Sequence, residues 1–409
     1  MALLADKKSN SNQLSILAGA GNDILGYLVI DTFVNGRSHG GVRLRQDVTP
    51  KEIGLLAHTM TLKYGFLGLP FGGAKAGVLG DPEAPLEERR ARLARFGRAT
   101  AELLRKELFV PAADMGTDLE DIRKMLQEAG VRMQKRRLPP VSSGYFTAQS
   151  VFAALGEMVR FRGGDLEGLK VAVEGFGKVG SALAGLLAQA GALVVAISTS
   201  DGGAYDPGGL DIQALQQMLG QAGSNLVKLV PEENQIDARE LPGLPVDIFC
   251  PCANIHSIHD GNASSVRARI LCPGANNPWT LTAESRMEAS GALLLPDFAA
   301  NSGGILGTVM AYACLRETEI VRSIREQYTE SSRWILDQSR RRGVSLRAIA
   351  EELVALRRVS PGGEGPRGLR GRLFGLGLVL HRRGLVPGAL VRTVARVYLR
   401  RKLSRELAA

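Results

Sequence analysis

The chain has 409 residues, of which 45% are hydrophobic and 22% charged, a balance that is typical of a folded globular protein. This length exceeds what one hydrophobic core usually serves, so we expect two domains and an appendage. No apolar run approaches the roughly 20 residues that span a bilayer, and the N-terminus lacks the pattern of an export signal. The cysteines show no disulfide-scaffold spacing, which favours a reducing cytoplasm; they are Cys250, Cys252, Cys272 and Cys314.

The net charge of +10 is concentrated near the C-terminus. Residues 351–409 hold 13 of the 51 lysines and arginines but only 4 of the 41 acidic residues, a net charge of +9. The rest of the chain is nearly neutral. The composition therefore gives no reason to predict nucleic-acid binding by the core.

The first half of the chain alternates short strand-like runs with helical ones. "GYLVIDTF" and "GVRLRQ" are predicted strands. Thr49 is a predicted helix cap, Pro50 occupies the first helical position, and apolar residues recur at 53, 56, 57, 60 and 64. This spacing predicts one helix that ends at Gly65. "RLPPVSSG", at 137–144, is a predicted hinge.

The second half shows a more regular alternation. "LKVAVEGFG" and "LVVAIS" are predicted strands with helices over 178–190 and 210–219, and "VDIFC", "RILCP" and "ALLLPD" follow as strands. Strands that alternate with helices predict an α/β fold with a parallel, doubly wound sheet. Helical sequence returns from 305 to about 356.

The C-terminal segment begins with a predicted linker, "SPGGEGPRGLRG", at 360–371. Residues 388–405 then have the pattern of a basic amphipathic helix. Such a helix can lie on an anionic membrane or dock onto a partner. The alternatives are a helix that covers the domain or a solvated tail.

A glycine-rich loop follows the strand "VAVE" and opens a helix. Gly175, Gly177 and Gly180 have the G-x-G-x-x-G spacing of dinucleotide-binding turns, in which the phosphates lie at the helix N-terminus. We predict that the whole loop binds a dinucleotide, including Phe176, Lys178 and Val179 between the glycines. At the end of the next strand, Thr199 and Asp201 are candidate contacts of the adenosine ribose. An acid there favours NAD over NADP, although Asp201 is equally compatible with the start of the turn "DGG".

Three charged residues of the first half are candidates for chemistry. Lys75 stands among glycines and apolar residues, Lys63 lies near a helix end, and Asp114 follows an apolar run. A lysine in a dry pocket loses the solvation of its charged form and can act as a base near neutral pH. Taken singly, the alternatives are a loop charge, a cation at a helix dipole and a helix cap.

Taken in their order along the chain, the sequence motifs resemble those of one enzyme family. The chain resembles the glutamate/leucine/phenylalanine/valine dehydrogenase family over roughly residues 25–330. The resemblance rests on ordered motifs: "GGVRL", "MTLK", "PFGGAKAGV", "PAADMGT", "TAQSVF", "VAVEGFGKVGSALAGLL", "GGAYDPGGLD", "PGANNPWT" and "PDFAANSGGI".

The resemblance implies reversible oxidative deamination of an L-amino acid to a 2-oxo acid and ammonia with NAD or NADP. Lys75 would be the lysine that activates water and Asp114 the proton-shuttling carboxylate. The other implied contacts are Lys63, Gly41 and Asn301 for the substrate, and Thr147 and Asn276 for the nicotinamide. A cytoplasmic homo-oligomer is also implied.

The resemblance and the sequence pattern together predict the domain organisation. A substrate-binding and oligomerisation domain would span residues 1–140, and a Rossmann dinucleotide-binding domain 141–310. Helices over 311–356 would return to the first domain, and residues 357–409 would form a basic extension.

Three places in the chain depart from the family pattern. His39 stands where glutamate-using members carry a lysine for the substrate side chain, and Thr308 matches their serine near "NSGGI". A glutamate substrate and a hydrophobic amino acid both stay open. The usual "TGxG" step is Thr147-Ala148-Gln149-Ser150, without either glycine.

A zinc site and a protein without catalytic activity are the alternative interpretations of this sequence. "CPCANIHSIH" groups Cys250, Cys252, His256 and His259, which are all zinc-ligand types, but the family's matching segment is apolar and we predict no metal. A catalytically silent homologue, acting as a regulatory or interaction subunit through its basic tail, is the alternative to an enzyme. The retained lysines argue against it.

Overall fold

The computed structural model describes residues 2–4, 14–20, 23–131, 142–359 and 386–395, and these divide into two units. Among them, the first unit contains the residues up to 131 together with 354–359. The second unit contains residues 142–353 and 386–395. The predicted linker at 360–371 and most of the predicted hinge lie outside the described residues. The domain limits at 140, 310 and 356 stay predictions.

The first unit is built on a six-stranded sheet with the order β1-β2-β3-β5-β4-β6. Its elements are β1 Ala2–Leu4, β2 Leu14–Ala20, β3 Asp23–Ile30, β4 Ser38–Arg45, α1 Pro50–Phe66, β5 Gly72–Leu79, α2 Leu86–Ala99, α3 Ala101–Arg105, β6 Phe109–Ala113 and α4 Leu119–Glu128. β3 pairs with β5 in antiparallel fashion, whereas β4 runs parallel to both β5 and β6.

Local chemistry explains why α1 forms where the sequence predicts it. The Thr49 side chain accepts a hydrogen bond from the Glu52 N–H, and Pro50 occupies the first turn, where its missing N–H leaves no bond unmade. The apolar stripe of α1 packs on the sheet beside β5. The predicted helix is confirmed, with its end at Phe66 instead of Gly65.

The second unit is built on a seven-stranded sheet with the order β10-β9-β8-β7-β11-β12-β13. Its strands are β7 Lys170–Glu174, β8 Leu193–Thr199, β9 Gly202–Tyr205, β10 Gln235–Ile236, β11 Ile248–Pro251, β12 Ile270–Leu271 and β13 Leu293–Leu294. The helices are α5 Ser143–Phe161, α6 Gly180–Gln189, α7 Ile212–Ala222, α8 Leu281–Ala289, α9 Asp297–Ala300, α10 Gly303–Tyr312, α11 Glu317–Arg342 and α12 Leu346–Val359; the end of α12 belongs to the first unit.

The sheet of the second unit is doubly wound, as predicted, but it is not wholly parallel. β7, β8, β11, β12 and β13 run parallel, whereas β9 and β10 pair in antiparallel fashion. The reason lies at Ser200 and Asp201, which form a turn between β8 and β9. A connection this short makes a hairpin, because a parallel pair needs a longer crossover.

β7 occupies the centre of this sheet. Successive strands extend from β7 through β8 on one side, and the later strands continue from β11 on the other. The order of the strands therefore reverses between β7 and β11. In doubly wound sheets, ligands bind outside the carboxyl ends of the strands at this switch point.

Part of the predicted C-terminal amphipathic helix is described, as a helix over 388–395 that we call α13. Val391 and Ala395 are buried, whereas Val394 is exposed, so its apolar face is narrower than predicted. The Arg392 Nε donates to the Cys314 carbonyl at 2.8 Å. This part of the helix thus covers the second unit; residues 396–405 lie outside the described residues. Within the described part, no helix is both long enough and apolar enough to span a membrane.

Candidate active site

A lysine–carboxylate pair connects the middle of β5 with the end of β6 in the first sheet. Lys75 comes from β5 and Asp114 directly follows β6, and β4 runs between these strands. The Lys75 Nζ lies 2.7 Å from an Asp114 carboxylate oxygen. Only 3% of Lys75 is exposed. Two residues that were singled out separately in the sequence are therefore one ion pair.

The pair has an unusual electrostatic environment. Burial lowers the pKa of the Lys75 ammonium, the Arg43 guanidinium lowers it further, and Asp114 opposes both effects. Burial alone would raise the pKa of the Asp114 carboxyl, but Lys75 and Arg43 outweigh it and hold that pKa well below its usual range. The carboxylate stays ionised while the lysine is brought toward its neutral form, which is the state of a base.

Arg43 is the partner that the sequence analysis missed. The Arg43 Nε donates to an Asp114 carboxylate oxygen at 3.1 Å, and the Arg43 Nη1 donates to a Glu52 carboxylate oxygen at 2.7 Å. The period of two along a strand places residues 39, 41 and 43 on one face of β4. Alternation along "HGGVR" could therefore have predicted that Arg43 lies beside the predicted substrate residues His39 and Gly41.

Gly41 leaves open the space that the pair needs. A Cβ at this position would lie 2.8 Å from the Asp114 Cβ and 3.0 Å from the Lys75 Nζ. Both distances are shorter than a Cβ tolerates without displacement of its neighbours. A side chain here would push the ion pair apart, which accounts for glycine at this position.

The two other candidates of the first unit are placed as follows. Lys63 is only 6% exposed, so it is not a solvated cation at a helix end. His39 lies against Phe71 with ring centroids 4.4 Å apart and is edge-on to Tyr64 at 6.2 Å. Burial, aided by the Arg37 charge, lowers the pKa of His39 to about 4. Near neutral pH the ring is therefore uncharged.

The three glycines of the predicted dinucleotide loop in the second unit each have a different structural role. Gly175 has φ +86°, and a Cβ on Gly180 would lie 1.9 Å from the Gly175 carbonyl oxygen. These two glycines are required by the turn and by its packing. A Cβ on Gly177 would have no atom within 4 Å, so the fold itself does not require glycine there. Open space beside a loop at the switch point fits a ligand that approaches the backbone closely.

A substitution at Gly177 separates binding from folding. We expect Gly177→Ala to keep the melting temperature within about 2 °C, because its methyl group meets no protein atom. The Kd for NADH, measured by fluorescence titration, should rise about tenfold or more, because the methyl group occupies the approach to the phosphates. Gly220→Ala, another glycine with an open Cβ position, is the matched control and should bind NADH normally. Unchanged affinity in Gly177→Ala would contradict the assignment of this loop.

The neighbouring strand β8 supports the loop. The Gly175 N–H donates to the Ser198 hydroxyl at 3.0 Å and the buried Phe176 donates to the Ser198 carbonyl. Thr199 uses its hydroxyl to donate to the Ser224 carbonyl, and Asp201 lies 3.7 Å from the Lys228 ammonium. Lys178 is exposed and Val179 is partly buried. The acid near the predicted ribose site therefore has a cation beside it.

Asn276 and Asn301 are brought together at the loop after β12. The Asn301 amide nitrogen donates to the Ala275 carbonyl at 2.8 Å and lies 3.4 Å from the Asn276 side-chain oxygen. The Asn301 side-chain oxygen is buried, and none of the described residues hydrogen-bonds to it. A buried acceptor without a donor is costly, so this oxygen fits a ligand that donates to it.

The two predicted threonines use their hydroxyls within their own helices. Thr147 donates to the Ser143 carbonyl in α5 and Thr308 to the Gly304 carbonyl in α10. The residues that replace the usual glycines after Thr147 are buried in a continuous α5. Gln149 accepts from Arg325, and Ser150 accepts the Gly303 N–H. In this chain the altered step packs α5 against α10 and α11.

The cysteine and histidine segment does not assemble into a metal site. Cys250 is buried at the end of β11, and burial raises the pKa of the Cys252 thiol to about 12. Among the residues that the structure describes, no group of histidine, cysteine and acidic side chains could hold a metal ion. All four cysteines are free thiols.

The fold and the loop at the switch point define an enzyme class: a dinucleotide-dependent α/β oxidoreductase. A sequence model described as "Glu/Leu/Phe/Val dehydrogenase, dimerisation domain" matches residues 14–130, and one described as "Glutamate/Leucine/Phenylalanine/Valine dehydrogenase" matches residues 143–360. The chain therefore belongs to the glutamate/leucine/phenylalanine/valine dehydrogenase family and is an NAD(P)-dependent amino acid dehydrogenase.

Individual relatives agree with this assignment. The chain is 34% identical to "Glutamate dehydrogenase" of Aeropyrum pernix over 300 residues, which cover 68% of this chain and 71% of the relative. It is 32% identical to "Cryptic catabolic NAD-specific glutamate dehydrogenase GudB" of Bacillus subtilis, with 80% of each chain covered. In fold it is similar to the hetero-hexameric glutamate dehydrogenase of Thermus thermophilus in its Leu-bound form, with a TM-score of 0.70 and 24% identity over 84% of this chain and 87% of that one.

Proposed function

We propose that this chain catalyses the reversible reaction of an L-amino acid, water and NAD⁺ to a 2-oxo acid, ammonium, NADH and a proton. The observation that carries the proposal is the Lys75–Asp114 pair, because its lysine is only 3% exposed and burial lowers the pKa of the ammonium toward the range of a base. Names of relatives that specify NAD support NAD as the favoured cofactor. The comparisons lend no support to a silent regulatory subunit.

The roles of the first unit follow from charge and burial. Lys75 in its neutral form takes a proton from water, which makes the water a better nucleophile toward the iminium carbon. Asp114 then exchanges protons with the amino group, and Arg43 holds its carboxylate in place. Lys63 provides a buried positive charge for the substrate α-carboxylate, since two such charges attract strongly where water is scarce.

The second unit binds the cofactor. The loop from Gly175 to Gly180 would hold the phosphates, with Thr199 and Asp201 near the ribose and Thr147 and Asn276 near the nicotinamide. Asn301 offers its free oxygen to a donor on the substrate or the cofactor. When bound, the nicotinamide supplies the hydride acceptor for the substrate Cα–H.

The substrate side chain is proposed to be uncharged. His39 occupies the position where a lysine would attract a carboxylate, but it is partly buried against Tyr64 and Phe71 and is neutral near pH 7. Thr308 carries no charge, and its hydroxyl already donates to the Gly304 carbonyl. A neutral, aromatic surrounding favours an apolar side chain and leaves a carboxylate poorly solvated. Glutamate is therefore the weaker candidate, although several relatives are named for it.

A panel of 2-oxo acids tests this preference. With ammonia and NADH, we expect a higher kcat/KM for branched or aromatic 2-oxo acids than for 2-oxoglutarate, followed by the absorbance of the nicotinamide. His39→Lys should raise kcat/KM for 2-oxoglutarate about tenfold, because it supplies the missing charge. His58→Gln alters an exposed histidine and is the control. A wild-type preference for 2-oxoglutarate would contradict the proposed substrate class.

A homo-oligomer in a reducing cytoplasm is proposed for this chain. The match of residues 14–130 to a dimerisation domain supports a homo-oligomer formed through the first unit. The free thiols of all four cysteines are compatible with the reducing cytoplasm expected from the sequence.

A further inference from the structure

A partly buried carboxyl group lies next to the glycine loop and has no part in the reaction described above. Glu174 is the last residue of β7 and directly precedes Gly175. It pairs in register with Pro251, the last residue of β11. β7 and β11 are the two strands between which the order of the sheet reverses. Glu174 therefore stands at the switch point, where a doubly wound sheet binds its ligand.

The surroundings of Glu174 leave it without a counter-charge. The Ser257 hydroxyl, on the segment that follows β11, donates to one of its carboxylate oxygens at 2.9 Å. No lysine or arginine of the described chain forms an ion pair with it, although surface carboxylates elsewhere in the protein are paired with arginines. Burial raises the pKa of Glu174 to about 7, and the Ser257 hydrogen bond only partly opposes this effect. Near neutral pH the group can therefore be protonated or ionised.

A bound dinucleotide would change that balance. Its pyrophosphate carries two negative charges, and the loop that begins one residue after Glu174 is where they would lie. Like charges that approach each other in a poorly solvated place repel strongly. The ionised form of Glu174 thus opposes binding, whereas the neutral acid does not.

We propose that Glu174 takes up a proton when the dinucleotide binds, so that cofactor affinity falls as the solution becomes more alkaline. The proton comes from solvent and goes to a carboxylate oxygen of Glu174, with no other bond made or broken. By linkage, whatever favours the protonated form favours the bound form. The proposal rests on the dinucleotide site of the proposed function and adds to that site a residue whose protonation is linked to binding.

Other titratable groups near Glu174 are accounted for separately. The Cys252 thiol interacts with Glu174, but its own pKa is raised to about 12, so it stays neutral over the relevant range. Lys178 is exposed on the glycine loop. His256 adjoins Ser257 in the chain, and an ordinary histidine changes its charge near neutral pH. It therefore needs its own control.

The test measures NADH binding to the full-length protein by calorimetry between pH 6 and pH 8.5, in buffers with different ionisation enthalpies. In the wild type, we expect the Kd to rise by up to about tenfold per pH unit above pH 7, with a net uptake approaching one proton. Glu174→Gln keeps the size and the acceptor for Ser257 but cannot titrate. It should bind NADH with a nearly constant Kd and no proton uptake.

Two further variants separate Glu174 from its neighbours. Ser257→Ala removes the hydrogen bond that lowers the pKa of Glu174, so the pH at which affinity begins to fall should move upward. His256→Gln should behave as the wild type does. Equal pH slopes and equal proton uptake in wild type and Glu174→Gln would overturn the proposal, as would a wild type with no proton uptake. If none of the proteins binds NADH, the dinucleotide assignment itself fails.

Discussion

Lys75→Ala is expected to lower turnover by about 10³-fold or more while NADH still binds within twofold of the wild-type Kd. A positioned base typically contributes 10²–10⁴ in rate, and this lysine also holds the Asp114 carboxylate through its 2.7 Å contact. The residues that bind the dinucleotide lie in the second unit, so their affinity is not altered. Steady-state assays with ammonia and 2-oxo acids measure the first effect, and fluorescence titration of NADH measures the second.

Two matched variants define what is lost in Lys75→Ala. Lys75→Arg keeps a positive charge that cannot be removed near neutral pH, so it should be as inactive as the alanine variant if Lys75 acts as a base. Lys106→Ala removes an exposed lysine of the same unit that pairs with Glu102, and it should retain full activity. Substantial activity in Lys75→Arg would assign to Lys75 the role of a fixed charge and not that of a base.

Asp114→Asn is expected to have the second largest effect, a loss of about 10²- to 10³-fold in kcat. The amide is nearly isosteric, but it cannot exchange a proton with the substrate amine. Asp81→Asn, at an exposed carboxylate of the same unit, is the control and should be unaffected. Wild-type kcat in Asp114→Asn would exclude a role in proton transfer.

The pH dependence of the activity that remains in Asp114→Asn tests the direction of the pKa shift of Lys75. Asp114 raises the pKa of Lys75 and so partly offsets the effect of burial. Its removal should lower that pKa further, so more of Lys75 is neutral at a given pH. For deamination, the pH at which activity rises should therefore move to a lower value in Asp114→Asn. A shift to higher pH would contradict the electrostatic account of the pair.

Much of the fold could be predicted from local signals. The helix α1 follows from its cap and its apolar stripe, and the glycine loop follows from three glycines after a buried strand. The antiparallel pairing of β9 with β8 was not predicted, although Asp201 could be interpreted either as a contact of the ribose or as the start of the turn "DGG". Turn length decides strand direction there, and the motif obscured it.

The sequence was sufficient to predict most residues of the candidate site, but not which of these residues contact one another. Lys75 was expected to be buried because glycines and apolar residues surround it, and the structure has it buried. Arg43 was missed because its partner Asp114 is 71 residues away in the sequence and meets it only in the folded unit. Glu174 was missed because a glutamate at the end of a strand resembles an ordinary solvated residue, and only the fold brings the Ser257 hydroxyl to its carboxylate.

Titration of the Lys75 side chain itself tests the central claim most directly. Carbon-13 NMR of labelled lysine in the full chain, with the signal assigned by its loss in Lys75→Arg, reports the pKa of this one amine. The account predicts a value clearly below the ordinary lysine value of 10.5, and a still lower value in Asp114→Asn. A Lys75 that titrates at the ordinary value in both proteins would contradict the claim that burial turns it into a base.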